Sequence, residues 1–270
     1  MTTFLFWNLN KKRIERVVAD LVQMHEVDVL ILTECGSPAD ALQVRLNQGK
    51  VQRLERSYGV CKEILILTRF SAKFIEPIFE SQRVTIRHLT LPRKPSLLLA
   101  AVHQPSKLYW SNASQSFECQ ELSSTIRSVE REVGHSRTLL VGDLNMNPFE
   151  DGLVAANGLN AAMARMIAER GSRTVQGKPY PFFYNPMWSH FGDGIEGPSG
   201  TFYRAGSEQI TLFWNMFDQV LLRPDLLGIF KNEDLRILSD CGSKSLLTAA
   251  GRPDTKGASD HLPLLFRLDL

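Results

Sequence analysis

The chain has 270 residues, 43% apolar and 22% charged, with a formal net charge of +2. Such a composition excludes global disorder, and the small net charge makes no strong electrostatic case for a nucleic-acid or membrane partner, though a local basic face is compatible with it. No apolar run approaches the roughly 20 residues that a membrane-spanning helix needs. The apolar stretch at residues 1–10 has no preceding positive charge and no small-residue cleavage site, so a signal peptide is not expected. Cys35, Cys61, Cys119 and Cys241 show neither CxxC pairing nor framework spacing. They are expected as buried free thiols in a reducing compartment, the cytoplasm, although their even number leaves disulfides open.

Residues 3–9 read as an apolar strand ending in Trp7-Asn8-Leu9-Asn10. A helix is predicted over 11–25, where Ile14, Val17, Val18, Leu21 and Val22 form an amphipathic stripe. Residues 27–33 are a second buried strand ending on Glu34. Strand, helix, strand is a crossover unit, and it places Asn8 and Glu34 at one edge of a sheet. Ser37 and Pro38 are expected to open another helix, with Ser37 as its cap.

From 51 to 103 the pattern turns to strands, at 63–68, 74–79, 84–91 and 97–102, the last ending on His103. Their short links suggest antiparallel pairing. A helix is predicted over 115–133, with Leu122, Ile126 and Val129 on one face, and it feeds a buried strand over 138–141. Another helix is expected over 160–169. Residues 171–200 are the least regular, mixing Gly, Pro and Ser with Tyr180, Phe182, Phe183, Tyr184, Trp188, His190 and Phe191. Those aromatics either fill a satellite cluster or face a substrate. Short strands return at 200–204, 212–222 and 235–238, and residues 264–268 close the chain. With no repeat, low-complexity tract or linker, residues 1–270 are expected to form one domain.

Several of these strands end in chemically capable polar residues: Asn8, Glu34, His103, Asp143 with Asn145, and the pair Asp260-His261. Asp218 lies within another. The strand over 138–141 runs directly into Gly142-Asp143-Leu144-Asn145, and Pro148 blocks its continuation. At the end of a rigid strand Asp143 can take a proton or orient a water, and Asn145 can both donate and accept hydrogen bonds. Taken singly, each has a plainer reading as a solvated turn residue. Oxygen ligands such as Glu34, Asp260 and the Asn8 amide suit a hard divalent cation, Mg²⁺ above all, and the absence of a His/Cys cluster speaks against structural zinc.

The ordered series WNLN, LTEC, VHQP, GDLN, FDQVLL and SDHLPL, spanning residues 8–261, resembles the endonuclease/exonuclease/phosphatase superfamily. The resemblance implies an α/β fold (α+β by some schemes), a four-layer α/β/β/α sandwich with two mixed sheets face to face and helices outside. It also implies a Mg²⁺-dependent phosphoesterase, Mn²⁺ being a substitute, that hydrolyses a phosphodiester and acts as a nuclease on DNA or RNA. The alternative is a phosphatase or phosphodiesterase of a small phosphorylated molecule or lipid headgroup, with the aromatic stretch as an interfacial anchor. Carried over by motif, Glu34, Asn8 and Asp260 are the metal-side residues. Asp143 is the water-activating residue and Asn145 holds the water or the phosphate. His261 stabilises the pentacovalent state and is oriented by Asp218, while His103 contacts phosphate. Asn10 stands where some members carry an acidic ligand and is expected to contact substrate. Phe217-Asp218-Gln219 keeps the aspartate of its motif without the usual leading residue. A non-catalytic scaffold of this fold is expected to have lost one of Glu34, Asp143, Asn145, Asp260 or His261, and all are present. For a nucleic-acid backbone the candidate contacts are Lys11, Lys12, Arg13, Arg83 and Arg87; the plainer reading of these is a solvated face. Nothing in the sequence points to a protein partner.

Overall fold

The structure, a computed structural model, describes residues 1–49 and 53–270; the first two residues of the strand-rich stretch 51–103 fall outside them. In chain order the elements are β1 (Thr2–Asn8), α1 (Glu15–Met24), β2 (Val29–Thr33), α2 (Ala39–Asn47), β3 (Glu55–Ser57), β4 (Ile64–Thr68), β5 (Ile75–Glu80), β6 (Val84–Leu89), β7 (Leu97–His103), α3 (Asn112–Val133) and β8 (Thr138–Asp143). The rest is more broken: α4 (Asp151–Val154), β9 (Ala161–Ala162), α5 (Arg165–Ala168), β10 (Ser172–Val175), β11 (Lys178–Pro181), β12 (Phe183–Tyr184), β13 (Phe202–Tyr203), β14 (Trp214–Asn215), β15 (Asp218–Leu222), β16 (Arg236–Ile237) and β17 (Leu264–Leu268).

Six strands form one sheet in the order β16-β17-β1-β2-β4-β3, and seven form another, β5-β6-β7-β8-β15-β12-β9. Both are mixed. The pairs β1–β2 and β7–β8 are parallel, and a helix, α1 or α3, crosses between the strands of each. Alternation along each strand sorts its side chains between two faces. In β1, Phe4 and Phe6 enter a core shared by both sheets, while Leu5 and Trp7 pack with Val18 and Leu21 of α1 and Leu42 and Leu46 of α2. In β7, Leu97, Leu99 and Ala101 enter the shared core, and Leu98, Ala100 and Val102 meet Leu122, Ile126 and Val129 of α3. Helix, sheet, sheet, helix is the four-layer arrangement expected.

Gly142 is needed for steric reasons. A Cβ there would lie 2.0 Å from the Val102 carbonyl oxygen on the neighbouring strand, so β7 and β8 would have to part just before Asp143. Gly142→Ala is expected to destabilise the protein by about 1–3 kcal/mol, read as a lower urea midpoint at unchanged slope.

Several expectations are corrected. Residues 160–169 do not make one helix: Ala161–Ala162 pairs in parallel with Phe183–Tyr184, and only Arg165–Ala168 is helical. Residues 171–200 are more regular than expected. They hold the hairpin β10–β11, strand β12 and a 3-10 turn over Pro186–His190. Phe182 and Tyr184 fill the shared core and Phe183 the layer under α3. Trp188 and Phe191 pack around the Phe149 ring, at 6.4 and 6.1 Å. Ser37 does not cap α2; its hydroxyl bonds the Glu15 carboxylate. Arg87 is buried and cannot reach a phosphate backbone, because it is committed to Glu80 (2.7 Å), Thr85 (2.7 Å) and the Tyr58 carbonyl (2.8 Å). All four cysteines are free; Cys35 is half-buried and the others buried.

Candidate active site

Strands β7, β8 and β15 lie side by side, and His103 and Asp218 are the direct register partners of Asp143 on either flank. The second sheet thus presents three of the candidate residues at one edge. The first sheet supplies Asn8 at the end of β1, Glu34 just after β2, and Asp260-His261 shortly before β17. The two edges meet. The Asn8 Nδ2 group donates to Asp143 Oδ2 at 3.0 Å and lies 3.4 Å from Glu34 Oε1.

His261 is fixed from four sides. Its Nδ1 lies 2.7 Å from Asp218 Oδ2 and its Nε2 3.9 Å from Asp143 Oδ2. Its carbonyl accepts from the Trp7 indole at 2.8 Å, and its backbone N–H donates to the Ser259 hydroxyl oxygen at 3.2 Å. The Phe202 ring packs 4.8 Å away. Burial opposes a charge on this imidazole, but the carboxylates of Asp218 and Asp143 outweigh it and push its pKa up to about 10. His261 is therefore a cation at neutral pH, with Nδ1–H turned to Asp218 and Nε2–H left for another acceptor.

His103 Nε2 lies 3.3 Å from Glu34 Oε1 and 3.8 Å from Asp143 Oδ2. That contact and the neighbouring negative charges outweigh burial and raise the His103 pKa. In return the hydrogen bond from His103 holds Glu34 far below the usual carboxylate range, at about 2. Asp143 is the opposite case: burial is the largest influence on it and lifts its pKa above the usual range. Two carboxylates in one site are thus driven apart, one permanently charged and one made more basic.

Three residues of the site take left-handed backbone. Asn10, Glu34 and Asn145 have φ of 45°, 47° and 49°, a region L-residues rarely occupy outside sites that over-determine them. Asn145 is locked because its N–H donates to Asp143 Oδ1 at 2.8 Å and its Nδ2 to the Gln104 carbonyl at 2.9 Å. Gly36 lets the turn after Glu34 close on the one after Asn10; a Cβ there would meet the Lys11 carbonyl oxygen at 2.0 Å.

Among the described residues, Asp143, Asp218 and His261 are the one group of three whose candidate ligand atoms lie within 4.8 Å of one another. The charged His261, with Nδ1 committed to Asp218, is a poor ligand. Glu34 fits a hard cation better, being fully ionised and 23% exposed in its side chain. Mg²⁺ often takes only one or two protein carboxylates and keeps several waters. Asp260 is half-buried, its carboxylate 3.3 Å from the Ser259 hydroxyl. The Asn8 side-chain oxygen accepts from the Asn10 N–H at 2.9 Å, so the amide shows nitrogen, not oxygen, to Glu34. The sequence reading missed Trp7, Ser259 and Thr201. Ser259 Oγ donates to the Asn8 carbonyl at 2.7 Å, and Thr201 Oγ1 accepts from the Asp218 N–H at 3.1 Å. The adjacency of Trp7 to Asn8 and of Ser259 to Asp260-His261 was the available signal; Thr201, 17 residues from Asp218, had none.

No family model matches the sequence, and no curated protein does. Solved structures do. An endonuclease/exonuclease/phosphatase family protein from Bacteroides thetaiotaomicron superposes with TM-score 0.59 at 13% identity, covering 100% of this chain and 96% of that one. The 3' phosphatase NExo from Neisseria, bound to product DNA hairpin, gives 0.57 at 15% with both chains covered completely. An AP endonuclease from Archaeoglobus fulgidus gives 0.57 at 14%, again over 100% of both. The chain has the fold that these three proteins share. The resemblance read from WNLN through SDHLPL is borne out at that level. In this fold the two sheet edges bring Asn8, Glu34, His103, Asn145, Asp218 and His261 around Asp143, with Asn10 beside Asn8 and Asp260 beside His261.

Proposed function

We propose that the chain is a divalent-metal-dependent phosphoesterase that hydrolyses a phosphodiester, with DNA or RNA as substrate. The observation that carries this reading is the pairing of a buried, more basic Asp143 with a charged His261 whose Nε2 lies 3.9 Å away. Asp143 accepts the proton of the attacking water, and the Asn8 amide and the Asn145 backbone N–H hold its two oxygens in place. His261 donates from Nε2 to the phosphoryl group as charge develops there, and Asp218 keeps its tautomer and charge. His103 contacts a second phosphoryl oxygen while pairing with Glu34. Asn10, half-buried at the mouth, contacts the substrate. Glu34, with Asp260 as a second carboxylate, would hold Mg²⁺, or Mn²⁺ in its place, which supplies Lewis-acid polarisation and charge neutralisation when bound.

The relative NExo is described as bound to product DNA, which supports nucleic acid as the substrate class here. Four free cysteines support a cytoplasmic location, and no helix among the described residues is long and apolar enough to cross a membrane. The test is Mg²⁺-dependent hydrolysis of single- and double-stranded DNA, RNA, bis-p-nitrophenyl phosphate, p-nitrophenyl phosphate and a phospholipid, each with an EDTA control. Metal-dependent cleavage of nucleic acid is expected. Activity confined to a monoester or a lipid would replace the nuclease reading with the small-molecule or headgroup one, and none on any substrate with Mg²⁺ or Mn²⁺ would overturn the enzyme reading.

A further inference from the structure

Arg87 lies in β6 and Arg83 is the residue just before that strand, yet their surroundings are opposite. In β6, Val84 and Ile86 turn toward α3, and Leu89 toward the shared core. Alternation places Thr85 and Arg87 with Leu89, and Arg83, one residue before the strand, extends that face where the His103 N–H bonds its carbonyl. Arg87 is saturated by Glu80, Thr85, Ser57 and the Tyr58 carbonyl. Among the described residues, Arg83 has no carboxylate within 4.0 Å and no side-chain hydrogen bond, although it is half-buried.

Its position is set by the ladder. Val84 opposes Val102, so the next rung opposes Arg83 and His103, and the His103 N–H donates to the Arg83 carbonyl at 2.9 Å. Directly opposed residues on antiparallel strands project to the same face, with Cβ atoms roughly 4.5–5.5 Å apart. Arg83 therefore flanks His103 at the mouth of the site, and its charge is felt there, working against protonation of that histidine. A half-buried guanidinium beside a histidine and without a carboxylate within 4.0 Å keeps its donors free for the anion of a ligand. Its planar fork matches a phosphate in bidentate fashion.

We propose that Arg83 forms a second anion subsite that takes a phosphate group flanking the scissile one. The proposal rests on the phosphoesterase reading for the scissile position and defines the substrate further: it carries at least two phosphate groups. A nucleic-acid strand and a small polyphosphorylated molecule share that chemistry.

The experiment uses the full chain with Arg83→Ala and Arg83→Lys. Fluorescence anisotropy with a labelled single-stranded oligonucleotide in EDTA measures binding without turnover. Inorganic pyrophosphate serves as a competitor. Kinetics compare the oligonucleotide with bis-p-nitrophenyl phosphate, which has one phosphate. Arg83→Ala is expected to weaken oligonucleotide binding about tenfold and to reduce the slope of log affinity against log salt by about 1. Its loss in kcat/KM should be several-fold larger on the oligonucleotide than on the single-phosphate ester. Arg83→Lys should restore the salt slope. Weakened pyrophosphate competition with unaltered oligonucleotide binding would keep the subsite and assign it to a small polyphosphate. Equal affinity, equal slope and equal pyrophosphate competition in wild type and Arg83→Ala would overturn the subsite while leaving the phosphoesterase reading intact. Wild-type binding with the expected slope but no hydrolysis would overturn that reading and not the subsite. Arg83 supports nothing else in the fold, so the variants should unfold within about 0.5 kcal/mol of wild type.

Discussion

Asp143→Ala is expected to lower phosphodiester hydrolysis by about 10²- to 10⁴-fold, the range associated with a positioned general base. The side chain is buried, and every group around it has a second anchor. His261 is held by Asp218, Trp7 and Ser259, His103 by Glu34, and Asn8 by Asn10 and Ser259. The fold should therefore survive the truncation and the loss should fall on kcat. Asp143→Asn sharpens the test, because it keeps the volume and one of the two accepted hydrogen bonds while removing the basicity. Steady-state kinetics with circular dichroism as the fold control decide it. Full activity in either variant would sink the role given to Asp143.

His261→Ala should cost about 10²- to 10³-fold, the usual effect of removing one donor to a developing oxyanion. Its partner makes a finer test. With the His261 pKa at about 10, the alkaline limb of the kcat profile should lie near pH 10, far from the usual 6.5. Asp218→Asn removes the first of the three carboxylates that raise it, Asp218, Asp143 and Asp260, so that limb should move down. Stability follows the same linkage. His261 has a folded-state pKa above its unfolded one, so its contribution is complete below pH 6.5 and disappears as pH rises toward 10. Glu34 has a folded-state value of about 2, so its contribution is present above pH 4.5 and disappears as pH falls through 2. Urea midpoints measured against pH should therefore show a plateau between about 4.5 and 6.5 from these two groups. A midpoint still rising from pH 7 to pH 10 would contradict the assignment.

The elements that were legible in the sequence are those whose burial is two-sided or strongly periodic. β1, β2 and β7 are continuous apolar runs because both faces are covered, and α1 shows its stripe because only one is. The strand-end residues were legible too, since a polar side chain directly after such a run is carried to the rim of the core by the strand itself. What could not be read was lateral order. Nothing local says that β15 lies against β8, yet that pairing alone sets Asp218 opposite Asp143. Residues 160–169 carried some helical pattern, but pairing with Phe183–Tyr184 makes Ala161–Ala162 extended, a tertiary override of a weak local preference. The β10–β11 hairpin did carry a local mark. Gln176 and Gly177 both take positive φ (50° and 75°), the requirement of a type I′ turn, and a Gly at the second position is its usual sign. The fate of Arg87 was not readable, because Glu80, Ser57 and Tyr58 converge on it from other strands.

The pairing of the first strand with the last also governs how the molecule is made. β1 is hydrogen-bonded to β17, with Thr2 opposite Leu268, so neighbours in the first sheet are separated by almost the whole chain. Contacts of such separation form late, because the entropy of closing the intervening chain is spent before they return anything. The first sheet cannot be completed on the ribosome until β17 has emerged, whereas β5 to β8 of the second sheet can pair much earlier. During that interval the edge of β1 is open to other chains. Overexpressed nascent or C-terminally shortened protein should therefore aggregate, and recovery of soluble material should improve when synthesis is slowed at low temperature.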